Sequence, residues 1–177
     1  MSETTEVLLI GGRAGVGKTS IAAELHAQLS DSRVRHALIE GDNLDQAWPA
    51  PHENGLQLAE ANLAAMWQNY RDAGYSRLIY TNTASVRDDV IHALLSALGG
   101  RPVATGVLLT AGDRTTATRL RQREIGSVLD EHLERSRLAA EQLDCLAPTW
   151  VHRIRTDDTT VTGVAQHIKE LLRWTAQ

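Results

Sequence analysis

Eight residues near the start of the chain have the types and spacing needed to hold a phosphate. Gly12-Arg13-Ala14-Gly15-Val16-Gly17-Lys18-Thr19 fits Gly-x-x-x-x-Gly-Lys-Thr, directly after the apolar run Val7–Ile10 and directly before a stretch with helical spacing. Glycines there let backbone N–H groups approach a phosphate closely, and the helix that follows contributes its positive N-terminus. Lys18 can then reach the β- and γ-phosphates of a nucleotide, and the Thr19 hydroxyl can ligate Mg²⁺. For this composition, about 0.0015 such matches are expected by chance along the chain. The chain has 16 arginines but two lysines, and one of those two completes the motif. The candidate nucleotide-binding residues are therefore Gly12, Arg13, Ala14, Gly15, Val16, Gly17, Lys18, Thr19 and Ser20.

A second chemical signal follows the next apolar run, which ends Ile39-Glu40-Gly41-Asp42-Asn43. An acid at the carboxyl end of a strand beside the phosphate loop faces the crevice where α/β sheets bind ligands. Asp42 there can take a proton from an attacking hydroxyl or hold a Mg²⁺-bound water; an ordinary turn with a helix cap is the other reading. Asp42 is the better candidate of the two acids, because it stands beyond the strand end while Glu40 is still within it. The third run ends Leu78-Ile79-Tyr80-Thr81-Asn82, without the Walker B acid of the large ATPase machines. There is no N-K-x-D or D-x-x-G segment, which argues against a GTPase and for adenine over guanine. Between Asp113 and Arg137 lie six of the 16 arginines: Arg114, Arg119, Arg121, Arg123, Arg135 and Arg137. Arginine forks neutralise phosphate charge, and Arg119 and Arg123 are one helical turn apart. A solvated helix face with Glu124, Glu131 and Glu134 is the competing reading of that stretch.

These groups need elements to position them, and the pattern supplies them. Apolar runs at Val7–Ile10, Val34–Ile39, Leu78–Thr81, Val103–Leu109 and Trp150–Ile154 alternate with helical spacings. One helix carries Ile21, Ala22, Leu25 and Leu29, and a second Leu58, Ala61, Ala65 and Tyr70. A third carries Val90, Leu94, Leu95 and Leu98, a long fourth Leu129, Leu133, Ala140 and Leu143. The last carries Val161, Val164, Ile168, Leu171 and Leu172. Alternating strands and helices predict a mainly parallel sheet covered on both faces. The 177 residues are room for one domain, and 42% hydrophobic with 23% charged residues is an ordinary globular composition. A net charge of -4 argues against a nucleic-acid binder. The lone Cys145 excludes an internal disulfide and is expected as a small core residue, and the histidines lack metal-site spacing. No apolar run reaches membrane-span length, and the polar N-terminus does not read as a secretory signal, so a cytoplasmic protein is expected.

Four blocks in order, Gly12–Thr19, Glu40–Asn43, Arg119–Arg123 and Arg155–Val164, resemble the small P-loop metabolite kinases. The likeness is greatest to gluconate kinase and looser to adenylylsulfate, shikimate and chloramphenicol kinases. The resemblance implies a three-layer α/β/α fold with a five-stranded parallel sheet in the order 2-3-1-4-5. It places Asp42 beside an acceptor hydroxyl, Arg119 against adenine or its phosphates, and Arg123 at the transferred phosphoryl. It puts Thr156, Asp157 and Asp158 at the adenine edge and Arg87 near the acceptor. Two segments depart from the pattern: the polar Thr81-Asn82-Thr83, and Trp48-Pro49-Ala50-Pro51-His52.

The expected protein is one P-loop kinase domain over residues 1–177, with an acceptor-binding stretch around 44–70 and an Arg-rich lid around 113–137. Trp48 is expected in a loop over the acceptor side, touching ligand or packing as a lid, whereas Trp67 and Tyr70 are expected to pack. The expected activity is ATP- and Mg²⁺-dependent phosphorylation of a hydroxyl on a small molecule, a metabolite or an antibiotic. A nucleoside or nucleotide kinase is the enzymatic alternative. A non-catalytic ATP-binding switch is the alternative of another class.

Overall fold

The computed structural model describes residues 4–123 and 129–176; of His52, Arg123 and residues 129–131 it describes the backbone alone. Five strands, β1 (Glu6–Gly11), β2 (Ala37–Glu40), β3 (Arg77–Thr81), β4 (Val103–Thr110) and β5 (His152–Arg155), form a single sheet in the order β2-β3-β1-β4-β5. Every pairing is parallel. Among the described residues, six α-helices accompany them: α1 (Lys18–Asp31), α2 (Leu58–Asp72), α3 (Asp88–Leu98), α4 (Asp113–Arg123), α5 (Leu129–Leu146) and, after β5, α6 (Val161–Leu172). The architecture and strand order are those expected.

Burial on both faces explains why the central strands are continuously apolar rather than alternating. Val7 and Leu9 of β1 face a core with Leu63 and Trp67 of α2, Ile91, Leu94 and Leu98 of α3, and Leu143 of α5. Leu8 and Ile10 face the opposite core, with Ile21, Leu25 and Leu29 of α1 and Val164, Ile168 and Leu172 of α6. β5 is an edge strand and exposes His152, Arg153 and Arg155, polar groups that discourage pairing with another chain. Among the described residues, no helix is long and apolar enough to cross a membrane.

Several local expectations need correction. The second and fifth strands begin at Ala37 and His152, later than the runs at Val34 and Trp150, because apolar loop residues precede them. The buried face of α2 is Leu63 and Trp67, while Leu58, Ala61 and Ala65 are exposed. Tyr70 makes an edge-to-face contact with Tyr75. Val161 of α6 is exposed, at the open first turn. Cys145 is also exposed: Leu143 and Ala147, one turn apart, hold the buried face of α5, and residue 145 falls on the other side.

One histidine pair, with His36 buried and His26 exposed, ties α1 to the start of β2. His36 Nδ1 lies 2.7 Å from the Val34 carbonyl, and His36 Nε2 lies 2.9 Å from His26 Nδ1. The carbonyl requires an N–H at His36 Nδ1, so in neutral His36 the Nε2 accepts from His26. Burial, above all, pushes the His36 pKa below its ordinary 6.5; the Val34 carbonyl opposes this, and His26 and Arg77 add to it. The unfolded chain therefore takes up the proton first as pH falls. The stability contributed by neutral His36 is present above about pH 6.5 and is lost progressively below it. The melting temperature should fall between about pH 7.5 and pH 5.5, and less so in His36→Gln. Equal pH slopes in parent and variant would remove His36 from this role.

Candidate active site

All five strands point their carboxyl ends to one edge, and the parallel register sets what meets there. Thr81 of β3 pairs with Ile10 of β1 on one side and Glu40 of β2 on the other. Neighbouring strands lie about 4.8 Å apart, so the phosphate loop and Glu40 begin about 10 Å from each other. Between and above them opens a cavity of about 530 Å³. Ala14, Gly15, Gly17, Lys18, Thr19 and Ser20 line it from the loop side, with Arg119 and Leu120 from α4. Glu40, Asp42, Asn43, Gln46 and Thr83 line the opposite side.

The loop is held by its carbonyls. Lys18 Nζ donates to Gly12 O at 2.7 Å and Arg13 O at 3.3 Å. Ser136 Oγ donates to Ala14 O at 3.0 Å. Arg119 donates to Gly15 O and Val16 O, each at 3.4 Å, and Thr156 Oγ1 donates to Val16 O at 3.1 Å. Gly17 O takes the first helical bond, from Ile21 N at 2.9 Å. Peptide planarity sends the N–H groups of Gly15 and Gly17 away from these donors. Gly15 has φ +84°, and a Cβ there would lie 3.0 Å from Thr116 O, so a side chain would push the loop off α4.

The acids sit across from the loop. Thr19 Oγ1 donates to Glu40 Oε2 at 3.2 Å, bringing a carboxylate to the hydroxyl of the motif. Asp42 stands two residues past β2, in a 3₁₀ turn over Gly41–Asn43. Asn82 Nδ2 donates to Asp42 Oδ1 at 2.7 Å, while Asn82 Oδ1 accepts from Ala84 N at 2.9 Å. The second bond fixes the amide orientation, so the amide must present its donor to Asp42. Thr83 Oγ1 meets Lys18 Nζ at 3.4 Å, and Thr83 O accepts from Gly12 N at 3.1 Å. The polar Thr81-Asn82-Thr83 segment is thus a strap between the phosphate loop and Asp42.

Not every residue singled out in the sequence faces this cavity. The Arg13 guanidinium is buried behind the loop, paired with Asp113 at 2.5 Å and with Thr116; its carbonyl serves Lys18, but its side chain is a structural tie. Val16 is buried in the core under α1. Arg119 faces the cavity and also donates to Thr156 O at 2.8 Å. The side chain of Arg123 lies outside the described residues. Asp157 accepts from Gly112 N at 2.9 Å and Arg155 Nε at 2.7 Å, outside the lining. The Arg155 guanidinium first, then the Gly112 N–H, hold its carboxyl below the usual range. Trp48 is 92% exposed and does not line the cavity, because the loop carrying it extends into solvent. Arg87 caps α3 and is engaged by Asp89 at 2.7 and 3.1 Å, also outside the lining. Glu40, Asn43, Gln46, Asn82 and Thr83 are lining or supporting residues that the sequence reading did not select. Glu40 is weighed there and set behind Asp42, Asn43 falls in the same block, and the unusual polarity of Thr81-Asn82-Thr83 marks two more; nothing marks Gln46.

No protein-family model matches the chain, and no curated protein matches it in sequence. Solved structures do match its shape. A gluconokinase from Sinorhizobium meliloti 1021 aligns with TM-score 0.63 at 16% identity, covering 96% of this chain and 93% of its own. The tunicamycin resistance protein of Deinococcus radiodurans aligns with TM-score 0.66 at 18% identity, covering 97% of both chains. The APS kinase of Mycobacterium tuberculosis, with AMPPNP and APS bound, aligns with TM-score 0.60 at 15% identity over 96% and 98%. The fold is that of the small P-loop kinases.

Within this kinase fold the turn that carries Asp42 depends on a close approach. A Cβ on Gly41 would lie 2.3 Å from the Tyr80 phenol oxygen and 2.8 Å from Thr81 O. Tyr80 is buried in the core, and Thr81 O is backbone, so neither can yield freely. Gly41→Ala should cost about 1–3 kcal/mol of stability in urea unfolding. A variant as stable as the parent would show that the turn relaxes without effect.

Proposed function

We propose that the protein is an ATP- and Mg²⁺-dependent phosphotransferase that phosphorylates a hydroxyl of a small molecule. One observation carries the reading: the phosphate loop with Lys18 and Thr19 and the carboxylate of Asp42 line one cavity from opposite sides. The kinase neighbours of the fold support it.

In this reading the amides of the Gly12–Gly17 loop and the N-terminus of α1 hold the triphosphate, and Lys18 lies over its β- and γ-phosphates. Thr19, with Glu40 beside it and Asp42 nearby, supplies the hard oxygen donors that suit Mg²⁺, too few to hold it without phosphate oxygens. Bound there, Mg²⁺ would neutralise charge developing on the phosphates. The acceptor oxygen attacks the γ-phosphorus, the bond to the β–γ bridging oxygen breaks, and ADP leaves. Asp42 orients the acceptor O–H and takes its proton. Arg119 forms the wall on the nucleotide side, with Thr156 buried behind it and Asp157 tying the loop after β5 to Gly112 N. Arg123 is assigned to the transferred phosphoryl from its place one turn after Arg119. Residues 113–137 act as the lid that excludes water, and residues 44–70 bear the acceptor. Trp48 and Arg87, which stand outside the lining, are given no contact with ligand.

Lys18→Ala should weaken ATP binding in calorimetry and abolish acceptor-dependent ADP release. Asp42→Asn should keep ATP affinity within a few-fold and cut transfer by about two orders of magnitude. ATP affinity unchanged in Lys18→Ala, with activity intact, overturns the reading. Transfer near the parental rate in Asp42→Asn would instead favour a phosphate acceptor, which needs no general base, and so a nucleotide kinase.

Asn82 acts through Asp42, so its loss should appear in kcat. A hydrogen bond to a charged group is worth about 1.5–3 kcal/mol, which corresponds to about a tenfold or greater loss in kcat for Asn82→Ala. ATP affinity should be little changed, and Asn82→Ala added to Asp42→Asn should cost little beyond the loss in Asp42→Asn alone. Fully multiplicative effects of the two substitutions would separate Asn82 from Asp42.

A further inference from the structure

The charges around the cavity are divided unevenly, and that division bears on the acceptor. Among the described residues lining it, the cations are Lys18 and Arg119. Lys18 reaches the carbonyls of Gly12 and Arg13, and Arg119 those of Gly15 and Val16, so both stand over the phosphate loop where a triphosphate would sit. The opposite side is lined by Glu40, Asp42, Asn43, Gln46 and Thr83. These are two carboxylates, two amides and a hydroxyl.

The arginine that follows β3 does not offset them. Arg87, at the start of α3 on this sheet edge, gives both its Nε and a terminal nitrogen to the carboxylate of Asp89, with Asp88 adjoining. Further carboxylates stand on the same side, within electrostatic reach of a buried phenol. Tyr80, packed under Gly41, has its pKa pushed up first by burial and then by Asp42, Glu60 and Asp45, three carboxylates acting on one hydroxyl.

Carboxylate or phosphate recognition calls for a cationic fork or ammonium, and like charges brought together without one are strongly disfavoured. Carboxylates and amide carbonyls accept from O–H and N–H⁺ donors instead. Resting on the phosphotransferase reading above, we infer that the acceptor is a polyol that is uncharged or carries an ammonium group, and that carboxylated and phosphorylated acceptors are rejected. MgATP would bring two net negative charges, which Lys18 and Arg119 offset, so Glu40 and Asp42 would leave the loaded site anionic on the acceptor side. Gln46, beyond them, lines the same side without adding a cation.

The test is MgATP-dependent ADP release by the full chain with acceptors matched in scaffold and differing in charge. Glucosamine, glucose, gluconate and glucose 6-phosphate form one set; streptamine, myo-inositol and quinate form another; uridine and uridine monophosphate form a third. Streptomycin and kanamycin extend the cationic arm. The highest kcat/KM should come from a neutral or amine-bearing member, with its carboxylated or phosphorylated counterpart at least about tenfold lower. Gln46→Arg should narrow that ratio by about tenfold by placing a cation on the acceptor side. An anionic member as the best acceptor, with turnover that Lys18→Ala abolishes, overturns this inference and leaves the phosphotransferase reading standing. An unchanged ratio in Gln46→Arg also overturns it. ATP binding with no turnover of any member overturns both.

Discussion

The structure depends on how the carbonyls of the phosphate loop are satisfied. A loop that is to hold an anion must turn its N–H groups toward the cavity, and each planar peptide then turns a C=O the other way. Buried carbonyls without donors would cost about as much as the anion site gains. Here every carbonyl from Gly12 to Gly17 has one: Lys18, Val16 N for Arg13 O besides, Ser136, Arg119, Thr156 and the first turn of α1. These donors come from α1, α4, α5 and the end of β5. The order β2-β3-β1-β4-β5 is what brings the loops after β1, β4 and β5 to one place.

That accounting gives the Arg-rich segment two kinds of work. Arg13 on the loop pairs with Asp113 and Thr116 at the start of α4, and Ser136 of α5 reaches Ala14. Arg119 spans the gap from the other side, between the loop and Thr156. Displacement of α4 would therefore strip donors from the loop carbonyls. Arg137, by contrast, is engaged by Glu134 and Glu141 on its own helix. It is the solvated-face arrangement weighed for the whole segment, realised at one residue. Arg119 and Arg137 lie on the same charged stretch and have different partners because α4 packs on the loop at Leu120.

Much of this was legible in the sequence, for identifiable reasons. The phosphate loop follows from a spacing that local backbone chemistry imposes, so its residues are adjacent in sequence and in space; the strand order comes only with the resemblance to the small P-loop kinases. Asp42 was legible because a strand end beside the loop must face the crevice. The inward role of Arg13 was not: its motif position is open to any residue, and what claims its side chain is Asp113, a hundred residues away. Cys145 and the face of α2 were misplaced because apolar spacing fixes a helix but not which of two weakly apolar sides is covered. Trp48 was expected near the acceptor from its distance to Asp42 along the chain, and a loop of that length can equally carry it into solvent.

Glu40 and Asp42 show how one intervening residue separates two roles. In a continuing strand, residues two apart share a face and would compete for the same ligand. The chain instead leaves the sheet at Gly41, which can pass because its missing Cβ clears the Tyr80 phenol and Thr81 O. Glu40 stays in register opposite Thr81 and reaches Thr19, whereas Asp42 enters the 3₁₀ turn and is taken by Asn82. One carboxylate is thereby held against the hydroxyl that would ligate Mg²⁺, and the other is held by an amide whose orientation Ala84 N fixes. Asn82 engages Oδ1 of Asp42, so in the proposed reaction the acceptor hydroxyl falls to Oδ2. Two like acids at this strand end can thus act as separate groups, because the backbone between them changes direction.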